Sequence, residues 1–221
     1  MRLGLVAFLC LFLVDQVKGQ RFGGNPTSLK WKSINKPGAT IIYPSGMDSS
    51  ADRIAKWTTA MDIVSTGKLG DLRRSIPIVL QNLPVISNAY VGLGPWRSEF
   101  YTFPPQNGLE LGTTNWMDNL IVHEYRHAHQ FSNFRRGLSK FAYLVAGEQG
   151  QALANSAAIP DWFFEGDAVY TETKLLSQGR GRLPYFFDPF HAIWNADKKF
   201  SYQKLRNRSL KDLVPNHYQL G

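Results

Sequence analysis

The stretch His123-Glu124-Tyr125-Arg126-His127 constrains this chain more than any other, because two histidines four residues apart act together only on a helix. Positions i and i+4 share a helical face, so both imidazoles can reach one point. The flanks agree with a helix. Asn115 can cap it with Asp118 three residues on, and the run continues through Phe131 with Trp116, Leu120, His123 and His127 on one stripe. Neutral imidazole is a good zinc ligand, and a catalytic zinc takes three protein ligands and a water. Glu124, beside the first histidine, leans toward such a water and can act as general base. His129 points about 200° away from His127 around the helix, so it is expected to pack or to meet solvent. Trp116, Leu120 and Phe131 are read as packing residues.

A third ligand has to come from elsewhere. The residues after His127 are Ala128-His129-Gln130-Phe131-Ser132-Asn133, which excludes the H-E-x-x-H-x-x-G-x-x-H arrangement. A second helical stretch, Asp161 to Leu176, is introduced by Pro160 and places Glu165, Ala168, Val169 and Glu172 on one face. Glu165 is the expected metal ligand. Glu172, one layer behind, would accept the remaining ring N–H of His123 or His127 and so hold its tautomer. Gly166 falls inside this helix at a cost of about 1 kcal/mol relative to Ala, and a close approach of the two ligand helices would account for it. Trp162, Phe163, Phe164 and Tyr170 are expected to leave little of the helix exposed, and Asp167 to cap or meet solvent.

Before Thr114 the pattern is different. Leu29 to Tyr43 has the composition of one or two strands, Asp48 to Thr66 shows helical spacing, and Ile76 to Leu83 is a β-rich apolar run. Ala89 to Val91 and Glu99 to Phe103 read as a strand pair around Gly92-Leu93-Gly94-Pro95, the second being a candidate edge strand for an extended substrate. Gly137 to Ala158 is expected to be partly helical. The reading is therefore an α+β fold, with a small mixed sheet lobe over about 27–112, a helical lobe over about 113–221, and a cleft between them.

The N-terminus reads as an export leader over residues 1–19. Arg2 precedes an apolar run, Leu3 to Val14, that is too short to span a bilayer stably. Cys10 is preceded by Phe8-Leu9 where a lipid-attachment signal would place a small residue, so cleavage after Gly19 is favoured over lipidation. Cys10 is the one cysteine, which leaves the mature residues from 20 onward without disulfide or thiolate chemistry. These features predict an exported protein, periplasmic, cell-surface or secreted. The net charge of +8 is scattered, with some concentration from Lys198 to Lys211, and is read as a solvated face rather than a nucleic-acid surface. Asn216 to Gly221 resembles the opening of a helix more than a natural terminus, which predicts a further C-terminal domain.

At the two ligand segments the chain resembles the gluzincins, the metallopeptidase clan with H-E-x-x-H and a glutamate third ligand. The pattern is similar to that of the aminopeptidase N and leukotriene hydrolase family and, more broadly, to peptidase MA-like proteins. Its W-x-x-E-G-x-A-x-Y-x-E segment matches Trp162, Glu165, Gly166, Ala168, Tyr170 and Glu172. The resemblance implies a thermolysin-like catalytic domain, one zinc ion, and a peptide or protein substrate. It also implies an oxyanion-stabilising role for Tyr218, which opens Tyr218-Gln219-Leu220-Gly221 in place of that family's Y-x-x-G, with His217 beside it as a lesser donor. The chain departs from that family in two ways. It has no G-x-M-E-N strand to hold a free amine, and 37 residues separate His127 from Glu165, so an insertion must loop out. A competing expectation is an exported binding or assembly protein that keeps the metal for structure, although such sites are usually closed by four ligands rather than three. Hydrolysis of something other than peptides is a third.

Overall fold

The computed structural model describes residues 24–64, 69–107 and 112–221. The leader reading, and the last two residues of the helix expected to reach Thr66, lie outside them. The fold is α+β, with a five-stranded mixed sheet in the N-terminal part followed by helices.

Leu29 to Tyr43 makes two strands, β1 (Trp31–Lys36) and β2 (Ala39–Pro44), paired antiparallel. Pro37-Gly38 turns the chain between them, and Gly38 has φ +83, a conformation that favours glycine. A side chain there would also collide with the Tyr125 hydroxyl. Helix α1 (Asp48–Val64) crosses over the sheet, so β3 (Ile76–Gln81) returns parallel to β2. Its Ala51, Ile54 and Met61 are buried, while Val64 is exposed. A hairpin of β4 (Ser87–Leu93) and β5 (Trp96–Thr102) closes the sheet in the order β1-β2-β3-β5-β4. β5 therefore lies inside the sheet, parallel to β3 and antiparallel to β4. The edges of the sheet are β1 and β4, so the stretch Glu99 to Phe103 is not the edge strand it was a candidate for. Glu99 is buried and accepts a hydrogen bond from Arg97 Nε at 2.6 Å.

Four longer elements follow: α2 (Trp116–Asn133), α3 (Gly137–Ala158), α4 (Asp161–Leu175) and α5 (Asp188–Asn195). The shorter α6 (Tyr202–Asn207) and α7 (His217–Leu220) complete the chain. Asn115 caps α2 as expected, its side chain accepting from Met117 N at 2.9 Å. The segment between the ligand helices, expected to be partly helical over Gly137 to Ala158, is helical over that range. It breaks at Ala146-Gly147, where Gly147 has φ +60. Beyond the break Glu148 accepts from Trp96 N at 2.9 Å and pairs with Arg74, which pins the second half of α3 to the β4–β5 turn. The first half exposes Leu138, Phe141, Leu144 and Val145.

One apolar core joins the sheet to α1 and α2, through Ile41, Ile54, Ile78, Phe100, Ile121 and Val122. The His-bearing helix is therefore fixed to the sheet by hydrophobic burial, the dominant favourable term in folding. Among the described residues no helix is long and apolar enough to cross a membrane.

Candidate metal centre

Helix α2 is buried over nearly its whole length, and His123, Glu124 and His127 face a cleft of about 450 Å³ between β4, α3 and α4. From α4, Glu165 meets them. His123 Nε2 lies 3.1 Å from Glu165 Oε2 and 3.2 Å from His127 Nε2, and His127 Nε2 lies 3.5 Å from Glu165 Oε2. Three donors on one face of a four-coordinate ion with bonds of about 2.0–2.1 Å would sit roughly 3.3–3.4 Å apart. The observed triangle matches that spacing. The three residues form a group that could hold a metal ion.

Each histidine is held through its other nitrogen. His123 Nδ1 lies 3.2 Å from Glu172 Oε2, and His127 Nδ1 lies 2.8 Å from Gln130 Oε1. When Nδ1 carries the proton, each Nε2 presents its lone pair to the cleft. Glu172, fully buried, takes its charge balance from Arg180, whose Nε reaches Oε1 at 2.6 Å and whose Nη2 reaches Oε2 at 2.9 Å. The same Nη2 is 2.8 Å from His123 Nδ1, so the tautomer of His123 decides whether this nitrogen donates to Glu172 or accepts from Arg180.

Gln130 and Arg180 were not visible as site residues in the sequence. Gln130 lies three residues after His127 on the same face, which was a usable signal. Arg180 lies between Gly179 and Gly181, and a Cβ on either glycine would press on Thr173. Such a tight pair around a lone arginine marks a backbone packed hard against α4.

Asp167 does not merely cap or meet solvent. It receives Arg126 Nε and Nη2 at 2.7 and 2.8 Å, and Gln130 Nε2 at 2.7 Å. The reason for Gly166 also differs from the expectation. A Cβ there would overlap the backbone of Gly221, at the end of α7, rather than the His-bearing helix. Phe163 and Tyr170 are exposed, so α4 is less covered than its aromatic content implied. His129 is buried, stacked edgewise on Tyr125 at 5.0 Å between centroids, with Asp62 3.9 Å away.

Tyr218 and His217 line the same cleft. The Tyr218 ring lies 6.1 Å from that of His123 and packs under the Arg180 guanidinium. Burial and the Glu165 charge hold its phenol above the usual range, so it stays a hydrogen-bond donor at neutral pH. Burial likewise raises Glu124, against the lowering effect of both histidines, and makes its carboxylate a better proton acceptor. His123 is pressed down by burial and by Arg180 but lifted by Glu165 and Glu172, and the carboxylates prevail at about 9. Burial pushes Glu165 upward, yet the hydrogen bonds of both histidines leave it well below the usual carboxylate range.

No family model matches this chain, and neither a curated protein nor a solved structure does.

Proposed function

We propose that the chain is the catalytic part of an exported, zinc-dependent peptidase of the gluzincin type, with His123, His127 and Glu165 as the zinc ligands. The observation that carries this reading is the triangle of three donor atoms 3.1 to 3.5 Å apart at the wall of a cleft. Two imidazoles and one carboxylate are the donor set of a catalytic zinc with one position left open.

Bound there, zinc would polarise a scissile carbonyl and lower the pKa of a water in the open position. The protein groups do the rest. Glu124 takes the proton of the attacking water and hands it to the leaving amine. Tyr218 donates its phenol hydrogen to the carbonyl oxygen as negative charge grows on it. Glu172 and Gln130 keep the two imidazoles in the tautomer that leaves Nε2 free. The edge strand β4, whose Ala89, Tyr90, Val91 and Leu93 line the cleft, offers its main chain to an extended substrate.

Metal analysis together with a peptide-library digest tests the proposal. His123→Ala should lose stoichiometric zinc, whereas Glu124→Gln should keep it and lose about 10²–10⁴ in kcat. Unchanged hydrolysis by the Glu124 variant would refute the mechanism. Stoichiometric zinc without cleavage of any library member would favour an exported binding protein instead.

A further inference from the structure

The cleft has two unlike walls. The edge strand β4 forms one, and the second half of α3 forms another, through Ala152, Asn155 and Ser156 on a single helical face. Asn155 is 3% exposed, yet its Nδ2 has no hydrogen-bond partner among the described residues. A buried amide nitrogen without an acceptor is destabilising, and a leucine of similar size would avoid the penalty at that position. Asn119 Oδ1, Ser139 Oγ and Trp162 Nε1 are also unpartnered, but those residues do not line this cleft. Asn155 is the one whose missing partner can arrive with a ligand.

The chemistry of that ligand follows from the neighbours. Glu124, Glu165 and Asp161 share the cleft, which disfavours an anionic acceptor. Val91, Leu93, Phe131 and Phe164 line it with apolar surface. A neutral carbonyl flanked by an apolar side chain suits both. Resting on the peptidase reading, we propose that Asn155 is a substrate-binding residue, its Nδ2 donating to a main-chain carbonyl oxygen of a peptide held between β4 and α3. The helix between the two ligand segments then contributes to recognition, and the break at Ala146-Gly147 separates its exposed first half from the half that meets substrate.

The test uses the zinc-loaded Glu124→Gln protein, so that peptide is not consumed, and a blocked hexapeptide of alanine and leucine as probe. Calorimetry should give a Kd about tenfold weaker after the additional change Asn155→Leu, the loss of one hydrogen bond. Zinc content should stay the same and Tm should not fall, because an unpaired donor has been removed. In the Asn155-bearing protein, the side-chain amide protons of Asn155 should shift downfield on saturation with peptide. That shift also decides the matter should the leucine variant fail to fold. Equal Kd values, absence of binding, or a resonance that does not move would overturn the proposal. Binding with the expected dependence but no cleavage by the wild-type protein would sink the peptidase reading alone. Cleavage with equal Kd values would sink the Asn155 assignment alone.

Discussion

Glu172 is the residue on which the candidate centre leans most without belonging to it. Its carboxylate is fully buried and is shared between His123 Nδ1 and the Arg180 guanidinium. Glutamine in its place could still accept at one oxygen, but it removes the charge that raises the basicity of His123 and leaves Arg180 without its counter-charge. Changing such a supporting group typically costs 10–100-fold in metal affinity. Glu172→Gln should therefore weaken zinc binding by about that factor in a chelator competition, while Glu165→Gln should abolish stoichiometric binding. Equal zinc affinity in Glu172→Gln and wild type would show that the imidazole is held by packing alone. The His123 and His127 positions were legible in the sequence because they stand four apart on a helix, and Glu165 and Glu172 because, seven apart, they share one face of the next. Arg180 was not, since it reaches the site from a 3₁₀ turn (Arg180–Arg182) after α4 has ended, where no periodicity relates it to Glu172.

At the scale of elements, the strands, α1 and both ligand helices were readable from alternation, apolar spacing and caps, whereas the order of strands in the sheet was not. Alternation shows which residues face the core but says nothing about which strand is the neighbour, so β5 looked as suitable for an edge as β4. The helical character of Gly137 to Ala158 was legible as well, but its break was not: α3 exposes apolar residues in its first half, which blurs the stripe that would show where one packed face ends and the next begins. The docking of α7 is a similar case. Asn216 caps it and Gln219 completes a capping box, but where Tyr218 sits depends on contacts that no local pattern shows, among them the close approach of Gly221 to Gly166 and the Arg180 guanidinium over the Tyr218 ring. Gly166→Ala should favour α4 by helix propensity and yet displace α7, because the new Cβ would overlap backbone rather than a flexible side chain. Misplacing a catalytic group by about 1 Å can lower the rate on the order of 10²-fold. A fall in kcat of that order with zinc content unchanged is the expected outcome. An unaltered kcat would mean that Tyr218 takes no part in the reaction.

Over the whole molecule, the two helices that meet at the centre are tied in with different mixtures of contact. Helix α2 shares the apolar core with α1 and the sheet, while α4 meets it through the polar contacts of Arg126, Gln130, Asp167 and the His123–Glu172 pair as well as through Phe164 packed on Phe131. Behind the centre, where α2 packs on α1, His129 is buried against Tyr125, with Asp62, Arg73 and Arg126 supplying the nearby charges. Burial depresses His129 to about 4, with Asp62 opposing and the two arginines assisting. The unfolded chain takes up this proton near pH 6.5, whereas the folded protein resists it until near pH 4. Stability from this residue is thus complete above pH 6.5 and is lost as pH falls toward 4, by about 2–3 kcal/mol over the window. Metal binding would add a pH dependence of its own, so the comparison belongs in excess chelator, where that contribution is removed from both proteins. Under those conditions the Tm of His129→Gln should decline less steeply than that of wild type between pH 6.5 and 4.5. Parallel slopes would place the acid sensitivity of the seam between α1 and α2 in other groups.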